Sequence, residues 1–386
     1  MVVFKYKNFF LQNIFELILF IFFTLYFFLW IKFNYSTINL NNRSLDIGIE
    51  IHNYIPYLSF YLDNIFSSKT VNLFLGYCLL PSLFSVIIFK IYKKILSNNL
   101  WAVSLAVLAL TASENFPFIN FLVNLFNWSN LSLYANSYEN FEIMGFPIPS
   151  FSIFLFCLIF YLSLNIIRFN KVRIFFITFL WALMVHVHPI DGLIGNVFWI
   201  SLLSVLFIQK RIELSGKNIL FLFLIYLINL FLIFTQLNFM SLKIDMVQTI
   251  SLYHVFFYFL LPLFLIIICI LFLKIDLYEF YQKFLNIYIL MFIEIILVIA
   301  SLSGFGIEIE MIETRIAMFF LHFLYYVPII YYLSRDEIFY INTINKKSYT
   351  GKIVIFFYYI FNKYKYIYLL TFNLLIFFYF ISSLKI

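Results

Sequence analysis

Ionisable side chains are scarce in this chain, so the places where they gather stand out: 386 residues hold 18 Asp and Glu and 5 His. The segment Arg43-Ser-Leu-Asp46-Ile-Gly-Ile-Glu50-Ile-His52 carries two acids and a histidine. Asp46 and Glu50, four apart, would share a face of a helix. A carboxylate held at a membrane surface can take the proton of a sugar hydroxyl as general base, with His52 beside it to bind substrate. A second string is His186-Val-His188-Pro189-Ile-Asp191. Here Pro189 should stop one helix and Asp191 should cap the next. The group suits a phosphate or a sugar. Coordination of a divalent cation by two imidazoles and a carboxylate would need a bent backbone, because residues two apart do not share a helix face. A third is Glu308-Ile-Glu310-Met-Ile-Glu313-Thr-Arg315, preceded by Gly304 and Gly306. Arg315 could pair with Glu313 or hold a lipid phosphate. Each string also has a plainer reading: solvated loop charges, helix-end polar groups meeting headgroups, a structural ion pair.

The elements that must position these groups follow from composition. The chain is 65% hydrophobic and 11% charged, whereas soluble domains average roughly 45–50% and about 25%. Uncharged runs such as Asn218 to Gln236 approach the ~20 residues that cross roughly 30 Å of hydrocarbon as a helix. Solid apolar runs, without alternating polar residues, exclude a membrane β-barrel. The expected fold is therefore an all-α polytopic membrane protein, one integral membrane domain over 1–386, with about eleven transmembrane helices. The spans fall near 10–31, 71–89, 100–113, 149–167, 173–187, 191–208, 218–236, 251–273, 284–303, 316–333 and 366–384, and the apolar stretch 353–361 reads as an interfacial or re-entrant piece. The first run lacks a small-residue cleavage site and is expected to remain as a helix rather than a signal peptide. Cys78, Cys157 and Cys269 all lie in apolar runs and suggest neither disulfides nor a metal framework. Only 9 glycines occur, few for a transporter built on broken helices.

Charge orients the scheme. With the N-terminus in the cytoplasm, all of the 25 Lys and Arg fall on the cytoplasmic side except Lys32, Arg43, Lys69, Lys243, Arg315 and Lys385, as the positive-inside rule requires. The +7 net charge is then a topology signal and not a nucleic-acid footprint. Asp46, Glu50, His52, His186, His188, Asp191, Glu313 and Arg315 all map to the outer face. Two extracytoplasmic loops are long, 33–70 and 114–148, and long loops tend to carry function. Each contains an aromatic, apolar stretch expected to form an interfacial helix: 47–66 in the first, and in the second a run where Asn120, Asn124 and Asn127 make a thin polar stripe. Glu16 and Glu294 sit within apolar spans and are costly there. His254 and His322 read as contacts inside the helix bundle.

This plan resembles the GT-C superfamily of membrane glycosyltransferases. The resemblance runs over roughly 9–335 and rests on the acidic first loop around Asp46 and Glu50, on Phe146-Pro147-Ile-Pro149-Ser150 opening the fourth span, and on His186 to Asp191. The adjacent acid pair common in the family is absent; Asp46 and Glu50 are four apart. The resemblance implies transfer of a sugar from a polyprenyl-phosphate donor to a glycan or lipid acceptor on the extracytoplasmic face of the plasma membrane, a bacterial inner membrane. Asp46 would be the base, and Arg315 or a histidine would hold the phosphate. Two other classes are weighed against it. An O-antigen-type polysaccharide polymerase or ligase typically needs arginines in its outer loops, and only Arg43 and Arg315 are there. A transporter or lipid flippase needs a polar path at mid-membrane, and no inverted repeat is visible.

Overall fold

The computed structural model describes residues 13–34, 69–96, 98–111, 150–164, 171–187, 189–212, 214–237, 263–267, 283–293, 296, 326–334 and scattered positions between 352 and 374. Among the described residues the regular structure is helical throughout, without a strand. The chain divides into two compact units, one made of 1–91, 113–248 and 384–386, the other of 92–112 and 249–383.

The first unit begins with α1 (Ile14–Asn34), which has Glu16 in its first turn and Lys32 in its last, each the charge that the helix dipole favours there. Next, α2 (Lys69–Phe74), a π turn (Leu75–Leu79) and α3 (Leu80–Leu96) run on without a break, and α3 belongs to this unit through Ile91. The π turn has a visible cause. Pro81 has no N–H and would drive its ring into the carbonyl of Tyr77 in a regular α-helix. Widening the preceding turn relieves the clash, and the Leu80 N–H donates to the Leu75 carbonyl five residues back. Hydroxyls serve the disturbed backbone: Ser82 Oγ donates to the Cys78 carbonyl at 2.6 Å and Ser85 Oγ to the Ser82 carbonyl at 2.6 Å. α1 packs against this turn, where Cys78 Sγ lies 3.5 Å from the Thr24 carbonyl.

Among the described residues one stretch, Leu75–Leu96, is long and apolar enough to cross a membrane by length and composition. Its 22 residues span about 33 Å at roughly 1.5 Å each. Shorter apolar helical stretches of 10–17 residues lie at Ile14–Leu29, Phe151–Ser163, Ile194–Ile208, Gly216–Ile228 and Lys283–Ile293, several of them parts of longer helices.

The rest of the first unit is centred on α6. In chain order come α4 (Asn99–Thr111, of the second unit), α5 (Ser150–Ser163), α6 (Lys171–Val187), α7 (Pro189–Ile208) and α8 (Gly216–Leu237). α6 touches α5, α7 and α8, and α5 also meets α7 and the π turn. α7 closes with Lys210 in the left-handed region, φ 55°. The Arg211 N–H donates to the Leu206 carbonyl and the Lys210 N–H to that of Phe207. That is a Schellman stop with lysine where glycine is usual.

In the second unit, Asn98 caps α4 by accepting from the N–H groups of Leu100 and Trp101 at 3.0 and 3.2 Å. Asn373 Nδ2 donates to Ser104 Oγ on α4 at 2.8 Å. Helix α9 (Lys283–Ile293) meets α10 (Val327–Ser334) at Tyr331, which has Phe284 edge-on at 5.5 Å and the Lys283 ammonium 3.3 Å from its ring centre. The described positions from Lys352 to Leu374 are helical, including Tyr359, Ile360 and Tyr364.

The outer surfaces are apolar. On α8, Leu220, Phe221, Phe223, Ile228, Leu230 and Phe231 are all more than half exposed, while Leu222 is buried. On α1, Ile18, Ile21, Leu25 and Phe28 form an exposed stripe at helical spacing.

Candidate functional site at the turn between α6 and α7

Of the residues singled out for chemistry, the described residues include His186 and Asp191. Asp46, Glu50, His52, His188, Glu313 and Arg315 lie outside them. So do the stretches expected to be interfacial in the two long loops, together with His254, Glu294 and His322. Glu16 is described and is buried in the first turn of α1.

His186 is half-buried in the last turn of α6. α6 ends at Val187 and α7 starts at Pro189, so His188 is the single residue between two helices. Pro189 occupies the first helical position, where its missing N–H costs nothing and its fixed φ already suits a helix. This corrects the expected role of Asp191. The helix has begun before it, so its backbone sits within the first turn rather than at the cap.

Behind this turn the two helices are locked at very short range. Residues 192, 195, 196 and 199 follow one another at helical spacing along one face of α7, and 178, 181 and 185 do so on α6. A Cβ on Gly192 would overlap the backbone N and Cα of Val185, and a Cβ on Gly195 would overlap the Trp181 ring. Only glycine allows this approach. Polar groups then stitch the contact. Asn196 Nδ2 donates to the Trp181 carbonyl on α6 at 2.8 Å and to the Gly192 carbonyl on its own helix at 2.7 Å. Trp199 Nε1 donates to Thr178 Oγ1 at 2.8 Å, and Thr178 Oγ1 to the Ile174 carbonyl at 2.8 Å. Trp181 Nε1 donates to Ser163 Oγ on α5 at 3.3 Å, and that hydroxyl donates to the Ile159 carbonyl at 2.8 Å. Thus both indole N–H groups, fully buried, find hydroxyl acceptors, as buried indoles require. Phe156 and Phe198 pack edge-on to Trp181 at 5.2 and 6.1 Å.

None of Thr178, Trp181, Gly192, Gly195, Asn196 and Trp199 is ionisable, so a search for charge passes over them. The available signal was the spacing Gly192-x-x-Gly195-Asn196-x-x-Trp199, a small-residue face with an amide and an indole in register. Among the described residues no three His, Cys, Asp or Glu come together to hold a metal ion. The arrangement as described can present an imidazole, and the N-terminus of a 20-residue helix, at one end of a rigid helical hairpin. No family model, no curated protein and no solved structure matches this chain.

Proposed function

We propose that the chain is a multi-pass membrane glycosyltransferase of the GT-C kind, with about eleven spans, using a polyprenyl-phosphate sugar at the extracytoplasmic face. The observation that carries the reading is the α6–α7 turn. Two apolar helices joined through one residue bring His186 and the first turn of α7, with Asp191 in it, to a common end. The wholly helical described regions and the Phe- and Leu-rich outer faces of α1 and α8 support placement in lipid. A helix N-terminus favours an anion, here the phosphate of the donor. His186, with His188 and Asp191 from the same string, would bind the donor head, assisted by Arg315 and Glu313 from the loop before the tenth span. Asp46, with Glu50 and His52 near it, would serve the acceptor.

In the reaction, an acceptor hydroxyl oxygen bonds to the anomeric carbon. The bond from that carbon to the phosphate oxygen breaks, and its electron pair leaves with the polyprenyl phosphate. The hydroxyl proton passes to the Asp46 carboxylate. The cationic groups and the helix end meet the charge that develops on the phosphate.

The test is mass spectrometry of polyprenyl-linked and surface glycans from cells with and without the gene. Loss of one sugar, with build-up of the polyprenyl-phosphate monosaccharide, is expected. Build-up of complete single repeat units would move the assignment to a polymerase or ligase, and an unchanged profile would leave a transporter or flippase in front.

A further inference from the structure

We propose that Asn196 is a positioning residue for the donor-binding turn, acting through the α6–α7 contact; the donor role rests on the glycosyltransferase reading above. The amide is 7% exposed and gives both of its N–H groups to main-chain carbonyls, one on each helix. It therefore ties Trp181 of α6 to Gly192 of α7 directly. Gly192 in turn lies against the backbone of Val185, the residue before His186. The link fixes how far apart the last turn of α6 and the first turns of α7 lie, and how they are rotated. With a single residue joining the helices, that geometry sets where the His186 ring stands relative to the start of α7.

The amide is an expensive way to hold two helices together. Its Oδ1 is buried and has no hydrogen-bond partner among the described residues. A buried acceptor left unpaired costs stability, and an unsatisfied group in a packed contact calls for an explanation beyond packing. The neighbouring contact between Trp199 and Thr178 already holds the two helices with satisfied groups. What Asn196 adds is a cross-link close to the turn whose two acceptors are main-chain carbonyls, one on each helix.

The experiment uses the full chain in lipid nanodiscs, labelled with 15N-histidine, the His186 signal being assigned by its loss in His186→Gln. Asn196→Ala removes the cross-link. Asn196→Asp keeps the shape but donates at most one hydrogen bond, and serves if the alanine variant does not fold. Thr178→Val is the control: it cuts another hydrogen bond of the same contact, about one turn farther from His186 than the Asn196 cross-link. The Asn196 variants should move the His186 resonance and weaken binding of a C55 polyprenyl monophosphate about tenfold, a loss of roughly 1.4 kcal/mol. Thr178→Val should leave both as in the parent, whatever it does to the melting temperature. An unmoved His186 signal in the Asn196 variants, or equal effects from Thr178→Val, overturns the positioning role. If the parent chain itself fails to bind the probe while the His186 signal still moves, the donor reading fails and takes the donor role of Asn196 with it, leaving the geometric link intact.

Discussion

Gly192 has no room for a methyl group, and what it would strike is main chain rather than a side chain that could swing away. Gly192→Ala should therefore force the α6–α7 hairpin apart and destabilise the protein by about 1–3 kcal/mol, the usual cost of overpacking, read as a lowered thermal midpoint in nanodiscs. Gly195 faces the Trp181 ring instead, and a ring can tilt only by disturbing its bond to Ser163. The proposed general base makes a different prediction. Asp46→Asn should abolish sugar transfer, a loss of at least about a hundredfold if the carboxylate is the general base, with protein level and membrane insertion unchanged. Full activity in that variant would pass the role to Glu50. The two predictions separate a residue that holds the fold from one that does the chemistry, because the first moves stability and the second does not.

At the scale of elements, the sequence marked helices well and their detailed joints poorly. Helices expected at 173–187 and 218–236 are found as α6 and α8 with ends within two residues; after Val187 a histidine and a proline mark the stop. Asp191 was misplaced because Pro189 reads as a stop, whereas it is equally a start. The π turn left no trace beyond Pro81: a run of apolar residues has the same hydropathy whether its hydrogen bonds reach back four residues or five. The locked face of α7 was equally silent, because helices buried on one side and apolar on the other show no contrast between faces. The acids and arginine of the loops expected outside, legible only as types in a row, fall outside the described residues. Pro81→Ala should restore an N–H and let the π turn relax to α. α2 would then rotate by about 100° against α3, carrying Gly76, Tyr77 and Cys78 out of their packing. A cysteine cross-link designed between α1 and the turn should form in the parent and fail in this variant. At the far end of α7, Lys210→Gly should stabilise the stop by less than about 1 kcal/mol, since relief of the left-handed strain is partly offset by a floppier unfolded chain. Thermal unfolding of the two proteins side by side measures it.

For the molecule as a whole, the apolar outer faces and the placement of cations make a joint claim. Lys93 and Lys94 end α3, Lys210 and Arg211 follow α7, and Lys217 opens α8. If all face the cytoplasm, a cysteine replacing exposed Lys217 should resist a membrane-impermeant maleimide in intact cells and react once the membrane is opened. Labelling in intact cells would invert the topology and remove His186 from the outer face. Cys78 and Cys157 are buried and should stay silent in the same experiment.

The wide turn before Pro81 also has a genetic consequence. It holds one residue more than a regular helix would use. Removing a residue from 75–79 would leave the proline ring facing a carbonyl again, and replacing the proline alone would leave the surplus residue turning α2 out of phase. Made together, the deletion and Pro81→Ala should yield an unbroken helix whose two flanks keep their original phase. Two lesions, each harmful alone, should thus suppress one another, a relation open to selection for revertants.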